Sequence, residues 1–443
     1  MNKIVLPKNV KFIIETMEAA GFEGYAVGGC VRDSLLGREP DDWDITTNAK
    51  PLQIKELFRR TVDTGIQHGT VTVLLDNDTY EVTTYRIDGE YEDNRHPRKV
   101  EFTTDLIEDL KRRDFTINAM AYNDRDGIID EFNGIDDLNA GIIRCVGSPD
   151  ERFSEDALRI MRAVRFSAQL GYDIEENTFS AIKKLAKNLK DISAERINTE
   201  LTKLLISPNP GHLRIMYEAG ITDIILPELS EVMEMEQNNP HHCYTVGEHI
   251  IHSVEAIEAD KCLRYAMLFH DLGKGRTRTT DDNGIDHFRG HVQLSAQMAV
   301  DIAHRLKFDN HTLTKVKKLI AHHDVRIEPE LKYVRRMMNR IGTEDFADLI
   351  KVKQADLDAQ SSYKREEKQE EVDTMKRLYE QIVKQNDCVR VADLAIDGKD
   401  LMELGVPQGP EMGKVLNCLL EKVMDDPSLN TKEKLTELAD AIL

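Results

Sequence analysis

Apolar positions change their period several times through residue 145. Between residues 10 and 20 they recur at helical spacing, VKFIIETMEAA, which predicts an amphipathic helix. YAVGG (25–29) reads as a strand running into a glycine turn. TVTVLL (70–75) and YEVTTYRI (80–87) alternate as strands do across an Asp-Asn-Asp turn. GIIDEFNGIDDLNAGIIRCV (127–146) predicts two short strands around a loop. From Asp150 to Met424 the pattern becomes helical, with SPNPG (207–211) and QNNPHH (237–242) as joints. KREEKQEEVDTMKRLYEQ (364–381) predicts an exposed helix, and 391–443 forms a last small unit. The expected class is α+β: a small mixed-sheet head, then an all-α neck, a helical body and a helical tail.

Composition narrows this. A chain of 443 residues is too long for one ordinary core, and 40% hydrophobic with 31% charged residues is a globular balance. No apolar run reaches the roughly 18 residues a membrane span needs. The N-terminus is charged and amphipathic rather than signal-like. Six cysteines lie far apart without a CxxC pair, so reduced thiols and a cytoplasmic protein are expected. A net charge of −21 counts against a large nonspecific nucleic-acid footprint, which needs cations facing phosphates. It leaves room for a local one, because arginines gather at 112, 113, 159, 162 and 165.

YAVGGCVRDSLLGREPDDWDITTNA (25–49) concentrates the chemistry. Gly28-Gly29 after a strand lets backbone N–H groups approach a triphosphate closely. Arg32 and Asp33 follow on the opening turn of a helix, whose N-terminus favours anions. Asp42 and Asp44 are spaced i and i+2, so on a strand both carboxylates share a face. Hard oxygen ligands of this kind suit Mg²⁺, with substrate phosphates completing the shell.

This segment resembles the catalytic signature of the class II tRNA nucleotidyltransferase and bacterial poly(A) polymerase family. The likeness continues in RRDFTINAMAY (112–122), SEDALRIMRAVRF (154–166) and SAERINTELTKLL (193–205). It implies that Asp42 and Asp44 hold Mg²⁺, that Gly29 and Arg32 hold the triphosphate, and that Arg113 contacts the incoming nucleotide. Glu81 is either a third carboxylate or a structural partner of Arg86.

Asp156 and Arg159 fall at i and i+3 on the predicted helix and so are expected to be neighbours. Cytosine and adenine both present an amino donor beside a ring-nitrogen acceptor. A carboxylate next to a guanidinium matches that edge and mispairs with uracil and guanine. Within the family pattern this pair is the nucleotide-selecting element. The resemblance also brings Arg162 and Arg165 near the nucleotide. At about 100° per residue Arg165 has turned away from Asp156, and a phosphate or RNA-backbone role suits it equally. The segment 85–110 resembles the loop with which the family switches from C to A addition, and argues against a CC-only enzyme.

His249, His270-Asp271, His291, His322 and Asp356 follow in an order that resembles the HD phosphohydrolase superfamily. His252, His287 and His323 are rival ligands. Imidazoles and carboxylates on successive helices suit Mg, Mn, Fe, Ni or Zn rather than a structural zinc. Residues 393–423 resemble the family's C-terminal tRNA-binding tail, with Gly405 and Gly409 turning into a helix. The implied division is 1–148 head, 149–236 neck, 237–362 HD domain and 363–443 tail. The implied activity is template-independent addition of CCA to tRNA from CTP and ATP, with HD phosphohydrolysis as an additional activity. Its partners are tRNA and the two nucleotides, with no membrane and no DNA. A-only addition and poly(A) synthesis are the rivals in the same class. An HD phosphohydrolase whose head only binds RNA is the rival from another.

Overall fold

A computed structural model describes residues 3–88 and 100–442 of the chain. It divides into two compact units, Met1–Pro227 and Glu228–Leu443.

The first unit opens with a helix, Lys8–Ala19, that buries Val10, Ile13, Ile14 and Met17. Seven strands form one mixed sheet: β1 (Gly24–Val27), β2 (Ile45–Thr47), β3 (Thr61–Gly65), β4 (Thr70–Leu75) and β5 (Asp78–Thr84), with two more from later in the chain. Between these come β6 (Arg86–Asp88) and β7 (Val100–Phe102), an antiparallel ribbon apart from the sheet, and then β8 (Ala121–Asn123) and β9 (Gly127–Ile129). The sheet order is β3-β4-β5-β2-β1-β8-β9. All neighbours run antiparallel except β2 and β5, which pair in parallel with Ile45 opposite Val82. Val71, Val73 and Val82 alternate inward and meet the first helix, so period-two patterning is converted directly into a core. Residues 89–99 of the segment read as a C-to-A switching loop lie outside the described residues.

Two expectations are corrected here. Between residues 127 and 146 the connection is a helix, Gly134–Ala140, rather than a loop. The Asp130 carboxylate accepts from the N–H groups of Gly134 (2.7 Å) and Ile135 (2.8 Å), and Gly141 (φ +69°) ends the helix. Asp156 and Arg159, expected on one helix, are not both within one: the chain forms Pro149–Glu155 and Leu158–Leu170, with Asp156 between them. Asp156 stands at the break with extended φ and ψ of −140° and 101°, its carboxylate accepting from Leu158 N–H at 3.0 Å.

The second unit is helical apart from one short hairpin among the described residues. Helices Val246–Ala256, Lys261–Phe269, His291–Arg305, Asn310–His322 and Thr343–Asp358 surround a cluster of histidines and aspartates. The charged stretch forms the helix Arg365–Gln385, and a separate apolar cluster around Leu401, Leu419, Val423 and Leu435 holds the C-terminal helices together. No helix among the described residues is long and apolar enough to cross a membrane.

Candidate functional site

Asp42, Trp43 and Asp44 lie in the extended lead-in to β2 rather than in the strand itself. Asp44 still follows strand geometry, since its carbonyl accepts from Val27 N–H at 3.0 Å. Trp43 packs on the head core, while Asp42 and Asp44 point the other way and are exposed, which is the alternation of an extended chain. The register of Ile45 with Val82 carries Glu81 to the same edge as Asp44. Solvent reaches the Asp44 side chain, yet protein crowds the carboxyl itself. That burial raises its pKa, Arg113 opposes the shift and Asp42 adds to it. Glu81 is raised likewise by burial, then by Asp44 and Asp42. Carboxylates this close, Asp42 acting on both Asp44 and Glu81 and Asp44 acting on Glu81, are short of positive charge, and a divalent cation with hard-oxygen preference fits them.

Asp44 and Glu81 line a cavity of about 170 Å³ together with Arg86, Arg112 and Arg113. Arg112 is spent on Asp109, to which it donates at 2.9 and 2.7 Å. Arg113 stands over Gly28: a Cβ there would lie 3.0 Å from its Nη1, and φ is +81°. The positive φ is what favours glycine at this turn, and the absence of a Cβ lets the Arg113 guanidinium come close without shifting. Arg32 opens on the same side, its Nη2 lying 3.8 Å from where a Gly29 Cβ would stand.

The selecting residues are not arranged as expected. Asp156 and Arg159 do not pair with each other. Arg196, on the helix Ala194–Leu205, holds Asp156 at 2.7 and 3.4 Å. Arg159 pairs with Glu155 at 2.6 Å and donates to the Arg112 carbonyl at 2.9 Å. The extended backbone at Asp156 gives its side chain to Arg196, although its carbonyl still accepts from Arg159 N–H at 3.0 Å. Arg162 donates to Asp114 at 2.7 Å. Arg165, buried, meets Glu200 at 2.5 Å and lies 3.8 Å from the centre of the Phe166 ring. Burial lowers the Arg165 pKa to about 10 although Glu200 opposes the shift. Burial works against the Asp114 charge, but Arg162 and Arg159 bring its pKa down to about 2. Asp114 and Arg196 belong to motifs legible in the sequence, and only the tertiary contacts single them out.

In the second unit His249, His270 and Asp271 converge, and Asp271 is shared with His291 and His323. Asp271 Oδ2 lies 3.3 Å from Nε2 of both His249 and His270, and Asp356 Oδ1 lies 3.0 Å from His249 Nε2. Asp271 Oδ1 faces Nε2 of His291 at 3.4 Å and of His323 at 3.8 Å. Each of these four imidazoles turns Nδ1 to a backbone carbonyl, those of Ala359, Met267, Phe288 and Ile320, at 2.7–3.1 Å. Such bonds fix Nε2 as the inward ligand atom, the usual support for a metal-binding histidine. A divalent metal therefore fits the donor set. His322 is corrected: its Nδ1 lies 2.8 Å from the Lys318 carbonyl, on the last turn of its helix, and His323, just past the helix end, faces the cluster instead. His252 meets Glu248 and Glu255, and His287 meets Asp281, so both stand apart from it.

Lys274 was not foreseen. It is buried, its Nζ lies 2.6 Å from Asp271 Oδ2, and it donates to Gln237 at 3.0 Å. Its position three residues after Asp271 in HDLGK is the signal that would have found it. Gly273, between them, is a position where only glycine fits, since a Cβ would come within 2.8 Å of Ser295 N. The cluster opens into a cavity of about 520 Å³ lined in part by Lys274, His291 and His323.

Comparison with known proteins places most of the chain within one family. The family model of the poly(A) polymerase head domain matches residues 24–144. One described as "Probable RNA and SrmB-binding site of polymerase A" matches 171–233, and tRNA nucleotidyltransferase domain 2 matches 279–439. The CCA-adding enzyme of Ligilactobacillus salivarius is 56% identical over 198 residues, 45% of this chain and 49% of that one, so the chain spans about half the length of that relative. The CCA-adding enzyme of Latilactobacillus sakei is 38% identical over 432 residues, 96% of both chains. The crystal structure of the Bacillus stearothermophilus CCA-adding enzyme in complex with CTP superposes with a TM-score of 0.75 at 29% identity, covering 99% of this chain and 98% of that one. With the head carboxylates, the neck arginines and the helical body all inside one near full-length match, the chain belongs to the family of CCA-adding enzymes.

Proposed function

We propose that this chain adds C and A to the 3′ end of tRNA from CTP and ATP, releasing pyrophosphate. The observation that carries the reading is the meeting of Asp44 and Glu81 at an arginine-lined cavity, with Asp42 near enough to act on both and Arg113 reaching over Gly28. Asp42 and Asp44 hold Mg²⁺, with Glu81 as a third carboxylate. When bound, the metal lowers the pKa of the ribose 3′-hydroxyl and balances the charge that develops on the departing pyrophosphate.

The chain's own residues supply the rest. Gly28 and Gly29 admit the triphosphate to the backbone, Arg32 holds it, and Arg113 offsets charge at the reacting end. Asp156 accepts from the amino group shared by cytosine and adenine, and Arg159 donates to the ring nitrogen. A carboxylate offers about four acceptor positions, and Asp156 keeps capacity beyond its bonds to Leu158 and Arg196. Arg162 and Arg165 set the opposite wall through Asp114 and Phe166. In this reading 1–148 is the transfer head, 149–236 the selecting and RNA-binding neck, 237–362 the HD domain and 363–443 the tRNA-binding tail. Six free cysteines support a cytoplasmic setting.

Radiolabelled CTP and ATP, offered to tRNAs ending before CCA and at CC and to oligo(A), test the reading. Stepwise C, C and A on the first tRNA is expected. A single A on the CC-ending tRNA alone means A-addition, and long tails on any RNA mean a poly(A) polymerase.

A second reading rests on the histidine cluster. Four inward Nε2 atoms and two carboxylates favour a transition metal over Mg²⁺. The division about Asp271 gives two positions, one on the side of His249, His270 and Asp356 and one on the side of His291 and His323. A phosphohydrolase activity follows from such a centre. Metal content measured on the purified chain, and phosphate release from nucleotides, should both vanish in Asp271→Ala.

A further inference from the structure

Asn118 occupies a position that neither the carboxylates nor the selecting residues explain. It is 6% exposed and ends the turn Thr116–Asn118 that follows the Arg112-Arg113-Asp114 run. Its Oδ1 accepts from Arg32 Nη1 at 2.7 Å, and its Nδ2 donates to Asp114 Oδ1 at 3.2 Å. A cation on one side and an anion on the other leave the amide a single sensible orientation. Arg32 is further clamped by Asp33, through Nε at 2.9 Å and Nη2 at 2.8 Å. Asp114 takes Arg162 on its other oxygen, Nε at 2.7 Å and Nη2 at 2.6 Å. The result is one run of side chains, Asp33–Arg32–Asn118–Asp114–Arg162, buried at its three middle members and half-buried at its ends, from the helix after β1 to the helix Leu158–Leu170.

The two ends of that run share a second contact. Arg32 lies 5.1 Å and Arg162 5.3 Å from the centre of the Phe166 ring, which Arg165 approaches to 3.8 Å. Three guanidinium groups around one ring repel one another, and stacking on the ring offsets only part of that. Four acceptors hold the crowd in register: Asp33 and Asn118 take Arg32, Asp114 takes Arg162 and Glu200 takes Arg165, but only Asn118 passes its hydrogen bond on, from Arg32 to Asp114. Hydrogen bonds to charged groups in buried networks are among the stronger ones, and removing one member disturbs its neighbours.

We propose that Asn118 is a positioning residue that couples the triphosphate-holding arginine of the head to the nucleotide-selecting helix of the neck. It touches no substrate itself. It sets Arg32 for the phosphates only as Asp114 sets Arg162 for the nucleotide, so the two contacts form together. The inference rests on the roles proposed above for Arg32 and Arg162.

Steady-state kinetics of Asn118→Ala with CTP, ATP and UTP on matched tRNA ends test it. Asn123→Ala is the control: Asn123 is also a buried head asparagine, donating to the Gly24 carbonyl at 3.1 Å and accepting from Asp126 N–H at 2.7 Å, outside the run. For Asn118→Ala, KM for CTP and ATP should rise about tenfold or more, the size of a lost charge-assisted hydrogen bond. UTP incorporation should rise relative to CTP. Asn123→Ala should leave KM and selectivity alone. Asn118→Asp keeps the acceptor for Arg32 but not the donor for Asp114, so it should restore much of KM and little of the selectivity. If Asn118→Ala does not fold, Asn118→Asp and Asn118→Ser decide by the same readouts. KM and selectivity within twofold of the unaltered chain, or a fall in kcat shared equally with Asn123→Ala, would overturn the proposal. No incorporation by the unaltered chain would overturn the transfer reading beneath it, and shows in the first assay before any variant is made.

Discussion

Asp44 and Asp271 each anchor a candidate metal site, and the chain builds the two in opposite ways. Asp44 sits in an extended segment at the edge of a sheet, exposed, with Asp42 and Glu81 for company and no histidine. Asp271 is 2% exposed, enclosed by helices, and meets four imidazoles and Lys274. Carboxylates alone leave positions for substrate phosphates and bind hard cations that arrive with them. Imidazoles with Nδ1 tied to the backbone form a prebuilt cage that retains a softer metal without substrate. On the roles proposed for the two sites, the difference would separate a metal that comes and goes with each nucleotide from one that stays.

The comparison breaks most sharply by deleting one carboxylate from each site. Asp44→Ala should lower nucleotide incorporation by about a thousandfold or more while metal retained at the histidine cluster is unchanged. Asp271→Ala should do the reverse, losing retained metal and sparing incorporation. Parallel losses of both activities in either variant would deny the separation. Stability should differ as well. Asp271→Ala strips partners from buried His249, His270 and Lys274 and should cost about 3–5 kcal/mol in denaturant unfolding.

Glu81→Gln should act in the opposite direction. The folded pKa of Glu81 is raised, so the stability it contributes is present at low pH and lost as pH rises through the carboxylate range. At neutral pH without divalent metal, the variant should therefore melt about one to two degrees higher than the unaltered chain. The gain should fade as pH falls into the carboxylate range, and added Mg²⁺ should stabilise the unaltered chain more. The smallest effect is expected between neighbouring histidines: His323→Ala should reduce the metal retained per chain, and His322→Ala should leave it unchanged.

Local signals were the legible ones. The Gly28-Gly29 turn, the Asp42 and Asp44 alternation and the HDLGK run each owe their geometry to neighbours in sequence. Glu81 was ambiguous because it reaches Asp44 through a parallel pairing of β2 with β5, a long-range register that periodicity does not encode. His322 and His323 were confused because the helix ends between them, so helical spacing ceases to say which one faces inward. Asp156 misled for the same kind of reason. Its side chain competes for the backbone N–H of Leu158 and interrupts a helix whose apolar pattern runs on without a gap. Lys274 and Asn118 each lie three or four residues from one ionic partner, Asp271 and Asp114, but what gives them weight is the second partner, Gln237 or Arg32, brought in from a distant segment.

That interruption at Asp156 has a consequence for changing the alphabet of such an enzyme. Two side chains on one helix are held at a fixed pitch, and altering their spacing means replacing one of them. Asp156 belongs to neither flanking helix and answers to Arg196 from a third. Its backbone spacing from Arg159 is fixed, the Asp156 carbonyl accepting from Arg159 N–H at 3.0 Å, so what the third helix sets is the direction of the carboxylate. On the roles proposed for Asp156 and Arg159, substitutions where the helix Ala194–Leu205 packs should change the ratio of UTP to CTP incorporated while both residues stay in place.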